Sequence, residues 1–288
     1  MTEKIVLLGA SSQVGFHLLP LLEEAGCSTL AVSRHGTPPW WRHNSRIRWT
    51  GPGQLPAACV NADILVSAGP LPVAAELCSC ISGLKQIIAL SSASVQFKHN
   101  SSDRSEQQVM TSLLQAEQRL ERLSASRSIS LTIFRPTMIY GSGMDENLCR
   151  LARWIRRFGL MPVAGQGSGL RQPLFAGDLA RLVLETIMTP AGHQGIFPVA
   201  GASQLSYREI LIAVFSALGK NPRLVELPVP VYAQLLRMYS MFRPGAGVSA
   251  AMAARQNCDL LVDTGQMLEK FSFRPGEFRL RKEYLLPP

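Results

Sequence analysis

Seven residues near the start of the chain have the spacing of a phosphate cradle. Gly9-Ala10-Ser11-Ser12-Gln13-Val14-Gly15 follows the apolar run Ile5 to Leu8 and opens an amphipathic stretch that closes at Gly26. Strand, glycine turn, helix lets backbone N–H groups approach phosphates, and the helix N-terminus adds a partial positive charge. Gly9, Ser11, Ser12, Gln13, Val14 and Gly15 are thus candidate dinucleotide contacts. A third glycine usually stands midway; here Ser12 does, with a hydroxyl that can itself donate to a phosphate oxygen. The same turn also serves as a plain strand–helix connection. The second strand ends Val32-Ser33-Arg34-His35. A site for NAD(H) wants a carboxylate there, for the ribose 2′-hydroxyl. No Asp or Glu occurs from Cys27 to Thr50, whereas Arg34, Arg42, Arg46 and Arg48 do. A guanidinium suits a 2′-phosphate, so NADP(H) is favoured over NAD(H), with Ser33 and Arg34 as contacts. Trp40 and Trp41 could stack on an adenine or pack within the fold.

The elements that must hold these residues follow from periodicity. Val14, Leu18, Leu21 and Ala25 mark one helix face. Later strands are expected at 29–32, 46–49, 63–68, 86–90 and 130–134. A helix over 105–124 carries Ser105 and Gln108 at capping-box spacing, with Val109, Leu113, Ala116, Leu120 and Leu123 at helical period, read as packing. Continuous apolar strands alternating with helices imply an α/β fold. Its sheet is parallel, doubly wound and of Rossmann type, covered on both faces. Beyond residue 140 glycine and proline become frequent, and helices are expected near 148–158, 178–189, 206–219 and 228–240. In the first of these Arg150, Arg153 and Arg157 oppose Leu151, Ile155 and Phe158; Asp178 reads as a helix N-cap. The expected organisation is a dinucleotide-binding sheet domain over 1–140, completed by elements around 171–200. A smaller C-terminal substrate lobe covers most of 141–288, with ligand in the cleft between.

Composition narrows the function class. The 288 residues are 47% hydrophobic and 17% charged, ordinary for a globular chain. No apolar run approaches the roughly 18 residues of a membrane span. Thr2-Glu3-Lys4 leads straight into a strand, so no signal peptide is read and the cytoplasm is expected. Cys27, Cys59, Cys78, Cys80, Cys149 and Cys258 show neither disulfide nor zinc spacing, and are expected as buried, reduced thiols; no metal is expected. The net charge of +9 comes without a basic run or a nucleic-acid motif, so a phosphate-bearing small molecule is the expected partner rather than nucleic acid.

Further segments recur in a telling order. They are Ser67-Ala68-Gly69-Pro70, Leu90-Ser91-Ser92-Ala93-Ser94-Val95, Gln115-Ala116-Glu117-Gln118 and Arg135-Pro136-Thr137-Met138-Ile139-Tyr140-Gly141. Arg171 to Ala180 and Phe271-Ser272-Phe273-Arg274-Pro275 follow. With the glycine turn, over nearly the whole length, the chain resembles the extended and atypical short-chain dehydrogenase/reductases, the NAD(P)-dependent epimerase/dehydratase-like group. The resemblance implies cofactor contacts from Ser67, Ala68, Gly69, Ser91 and Pro136 as well. It implies a catalytic serine at Ser92, a substrate often of nucleotide-diphosphate type facing Arg171, and a homodimer through helices of the sheet domain.

One part of the family's machinery is missing. A Tyr and a Lys four residues apart normally move the proton while the nicotinamide moves a hydride. Their positions hold Val109 and Leu113, and no tyrosine of the chain has a lysine four residues on. Tyr140, Lys98 and His99 are the residues that could stand in. Two readings follow: an atypical reductase or nucleotide-sugar epimerase-like enzyme with a non-standard acid or base, or a non-catalytic dinucleotide-binding sensor, assembly or partner-binding protein.

Overall fold

The structure is a computed structural model and describes residues 3–42, 45–51, 60–98, 101, 103–189, 193–243 and 247–288. Seven parallel strands form the central sheet. They are β1 (Lys4–Leu8), β2 (Ser28–Val32), β3 (Ile47–Thr50), β4 (Ile64–Ser67), β5 (Gln86–Leu90), β6 (Ser130–Pro136) and β7 (Gly195–Val199). Their spatial order is β7-β6-β5-β4-β1-β2-β3. The chain builds outward from β1 to β3, then returns to place β4 on the other side of β1. The carboxyl ends of β1 and β4 therefore flank a topological switch point, where open α/β sheets bind ligands.

Near-continuous burial explains why the strands lack alternation: every residue of β4 and β5 is buried. On one face Ile5 and Leu7 pack with Val14, Leu18 and Leu22 of α1 (Gln13–Glu24) and with Leu179, Leu182 and Val183 of α6 (Ala176–Met188). On the other, Val6 and Leu8 join Ala74 and Leu77 of α2 (Leu71–Leu77) and Ala116 and Leu120 of α4 (Arg104–Arg127). The edge strand β7 pairs with β6, from Gly195 against Thr132 to Val199 against Pro136. Phe271 of the near-terminal segment docks against Phe134 and Phe197, with ring centroids 5.4 and 5.3 Å away.

A short parallel pair, Ile139–Tyr140 with Leu174–Phe175, leads the chain from β6 into the lobe. The lobe has its own core, with Leu148, Ala152 and Ile155 of α5 (Leu148–Phe158) against Ile210, Leu211, Val214 and Phe215 of α7 (Tyr207–Ala217). A parallel pair, Met161–Ala164 with Leu224–Leu227, supports α8 (Val229–Phe242) and α9 (Ala251–Arg255).

Several expectations need correction. The cap of α4 is Asp103, whose carboxylate accepts from the Ser105 and Glu106 amides; Ser105 and Gln108 form no capping box. Val109 is 55% exposed, because Met110, Ala116 and Leu120 define the inward stripe. Asp178 lies inside the first turn of α6, not at its cap; it pairs with Arg181 and accepts the Gly276 amide at 2.8 Å. Phe158 is exposed under Arg157, whose guanidinium is 5.4 Å from the ring centroid. Of the thiols, Cys27, Cys78 and Cys149 are buried, but Cys80 and Cys258 are exposed; all five are free, and Cys59 lies outside the described residues.

Candidate functional site

The cradle is built by backbone contact. Gly9 takes a left-handed φ of +75°, and a Cβ there would lie 2.5 Å from the Ala68 carbonyl carbon and the Gly69 nitrogen. A Cβ on Gly15 would lie 2.3 Å from the Ala10 oxygen. Only glycine lets the turn after β1 close onto the end of β4. The Gly9 and Ala10 amides donate to the Val32 carbonyl at 3.1 and 3.2 Å, which anchors the turn to β2. Ser12 caps α1, its Oγ accepting from the Gly15 amide at 3.1 Å. Its own proton stays free to donate. Gln13 and Val14 occupy the first helical positions, where N–H groups have no intrahelical acceptor. These amides and the Ser12 hydroxyl are the donor set that a pyrophosphate requires.

Two more hydroxyls line the strand ends. Ser67, the last residue of β4, and Ser91, just past β5, have buried Oγ atoms with no hydrogen-bond partner. Leaving a buried hydroxyl unpaired costs about 1–3 kcal/mol, and a polar ligand across the strand ends would satisfy both. The residues present thus fit a dinucleotide. At the β2 end Ser33 Oγ lies 2.9 Å from Ser11 Oγ and accepts from the His35 amide at 3.3 Å, while Arg34 beside it is exposed. Arg46 instead donates to the Gly26 carbonyl at 2.9 Å, while Arg42 and Arg48 are exposed. Trp40 packs edge-on against Phe16, Trp41 and Trp49 at centroid distances of 4.9–6.4 Å, a cluster within the fold.

The candidate proton-moving residues have protein partners. Ser92 Oγ accepts from the Ser94 amide at 3.1 Å, holding the turn into α3 (Ser94–Phe97). The Ala93 amide in turn donates to the Pro136 carbonyl at 2.9 Å, which ties the Ser92 loop to the end of β6. Tyr140 is buried; its hydroxyl accepts from the Arg279 amide at 3.2 Å, and burial pushes its pKa up. Leu113, one turn after the exposed Val109, is half-buried against the sheet. Lys98 closes α3 with its amine 3.7 Å from Glu106, and burial holds that amine below the ordinary lysine range. His99 lies outside the described residues.

Glu106 and Arg255 escaped the sequence reading. The Arg255 guanidinium grips both Glu106 carboxylate oxygens, at 2.7 and 2.6 Å, and Ser101 Oγ donates to the same carboxylate at 2.6 Å. Burial alone would raise the Glu106 carboxyl, but these donors outweigh it and hold it low. The pair joins α4 of the sheet layer to α9 of the lobe. No local spacing could have revealed it, because the partners are 149 residues apart. Arg171 is half-buried in the lobe and donates to the carbonyls of Leu170, Arg255 and Cys258, so it fixes the turn that presents Arg255. Two quoted segments also prove to be one interaction. Glu117 on α4 accepts from Arg135 on β6, with Nε to Oε1 at 3.0 Å.

Comparison with known proteins bears on this geometry. No family model matches the chain. UDP-glucose 4-epimerase of Vibrio cholerae is 26% identical over 205 residues, 68% of this chain and 60% of the epimerase. The mitochondrial NADH dehydrogenase [ubiquinone] 1 alpha subcomplex subunit 9 of Arabidopsis thaliana is 22% identical over 120 residues, 41% of this chain and 30% of that protein. The chain thus spans less than two thirds of either relative. Among solved structures, a UDP-glucuronic acid 4-epimerase of Bacillus cereus superposes with a TM-score of 0.72 at 16% identity, over 98% of this chain and 96% of that one. This chain shares the fold of that epimerase structure. The resemblance read from the ordered segments therefore holds, and so does the doubly wound sheet. Among the described residues no helix is long and apolar enough to cross a membrane.

Proposed function

We propose that this chain binds NADP(H) and acts on a nucleotide-sugar-class small molecule as an atypical, epimerase-like short-chain enzyme. The observation that carries the reading is the cradle at the switch point, where Gly9 and Gly15 admit no side chain and the Gln13 and Val14 amides face outward from the helix start. Gly9, Ser11, Ser12, Gln13, Val14 and Gly15 hold the pyrophosphate. Ser33 and Arg34 hold the ribose with its 2′-phosphate, and Ser67, Ala68, Gly69, Ser91 and Pro136 line the strand ends. The named relatives support the class: the Vibrio protein is a UDP-glucose 4-epimerase, and the Bacillus structure contains NAD. The preference for NADP(H) rests on this chain alone, on Arg34 and the acid-free stretch around it.

A bound nicotinamide would supply hydride transfer, and the chain's own residues must then move a proton. With Val109 and Leu113 at the usual positions, we assign that role to Lys98. Burial makes its amine release a proton more readily than an ordinary lysine, and Glu106, 3.7 Å away, restrains the side chain. Ser92 orients a substrate hydroxyl or carbonyl. Arg171 shapes the substrate side by holding Arg255, and a homodimer through the outer face of α4 belongs to the same reading, as does a cytoplasmic location. The test is interconversion of UDP-glucose and UDP-galactose with NADP+ supplied, followed by chromatography. Slow turnover is expected, with Lys98→Met reducing it at least a hundredfold while NADPH binding persists.

One observation favours a second reading, a dinucleotide-binding protein without turnover. Ser92, Lys98 and Tyr140 each already contact a protein group. Tight NADPH binding with no turnover on any UDP-hexose would select it.

A further inference from the structure

The lobe exposes a helix face that water does not explain. Tyr232 is the one buried residue of α8 among those described, supported by Val229, Ala233 and Leu236, which lean onto the small core around Ala164 and Ala253. The outward side carries Val231, Leu235, Met238, Tyr239, Met241 and Phe242. Met241 and Phe242 are 78% and 80% exposed, more than any other large apolar residue described. Solvated helix faces ordinarily carry charge, and a contiguous exposed apolar patch marks an interaction surface.

The charge pattern says what covers it. No Asp or Glu occurs between Glu226 and Asp259, and the charged residues in that stretch are Arg237, Arg243 and Arg255. Arg255 is held by Glu106, which leaves Arg237 and Arg243 exposed on and beside the apolar face. A second copy pairing symmetrically through α8 would bring the same patch, and so the same cations, together with no carboxylate on the helix to answer them. An anionic surface answers both features. Aromatic and methionine side chains enter the headgroup boundary while guanidinium groups meet lipid phosphates. At 14 residues α8 is about 21 Å long, too short to cross the ~30 Å hydrocarbon layer, so it lies along the surface.

We propose that the outer face of α8 docks the protein on anionic lipid, with its axis in the headgroup plane. This inference is independent of the reaction proposed above. The test is co-sedimentation of the full chain with vesicles of phosphatidylcholine alone and of phosphatidylcholine with phosphatidylglycerol in a three-to-one ratio. The chain is expected to sediment with the mixed vesicles and at least tenfold more weakly with the neutral ones. Leu235→Glu with Phe242→Glu lowers affinity for the mixed vesicles at least tenfold; Arg237→Gln with Arg243→Gln removes most of the preference for them. All four positions are exposed, so circular dichroism and NADPH binding stay as in the parent. Three results overturn the proposal. The first is no sedimentation with either vesicle, which leaves the face to a protein partner. The second is unchanged binding by the Leu235/Phe242 variant. The third is a parent dimer that this variant renders monomeric, which gives the face to a second copy.

Discussion

The imidazole of His17 sits on α1 between Phe16 and Phe175, with its Nε2 buried and unpartnered. Burial, and then the neighbouring Arg181, hold its ionisation below the ordinary value of 6.5; Asp178 opposes them more weakly. The unfolded chain therefore binds this proton at a higher pH than the folded one. Stability is full above about 6.5 and falls as the pH drops through the lower folded value. Thermal melting from pH 7.5 to 5 should show the loss, and His17→Phe should flatten that limb. The thiols divide similarly. Burial pushes Cys78 and Cys149 up to about 12, whereas Cys80 and Cys258 are exposed. Iodoacetamide mapping by mass spectrometry should find Cys80 and Cys258 modified well before the other two. The cradle was legible at this scale because its logic is local, a glycine turn between strand and helix. The roles of Arg171 and Asp178 were not. Each side chain meets backbone far along the chain, at Arg255 and Cys258 or at Gly276, and no spacing announces that.

Between elements, the ion pair of Glu117 and Arg135 fastens α4 to β6 beneath the Ser92 loop. Glu117 is 2% exposed, so its loss leaves a largely buried guanidinium unpaired. Glu117→Ala should cost about 3–5 kcal/mol in chemical denaturation, and Arg135→Met in the same background should recover part of it. The sheet strands before residue 140 could be read to within a residue or two, since parallel strands buried on both faces are continuous apolar runs. Helix α2 was missed because Pro70 and Pro72 mask a seven-residue helix. The edge strand β7 was missed because Gly195 and Pro198 interrupt its apolar run. Asp103 outcompeted Ser105 for the cap of α4 because a carboxylate accepts two first-turn amides at once.

Across the whole molecule, the grip of Arg255 on Glu106 is a polar tie between the lobe and α4 of the sheet layer. Glu106→Gln should loosen residues 251–258 without unfolding the sheet, seen as faster amide hydrogen exchange there and unchanged exchange in β4 and β5. The fold and the cradle support the proposed nicotinamide dinucleotide at the switch point, and the acid-free stretch after β2 supports the proposal that it carries a 2′-phosphate. The direct measurement is calorimetric titration of NADPH and NADH into the parent protein and into Arg34→Ala. NADPH should bind at least tenfold more tightly than NADH, a difference of about 1.4 kcal/mol, and Arg34→Ala should erase that difference while leaving NADH unchanged. Binding of neither cofactor, or tighter binding of NADH by the parent, would contradict the account.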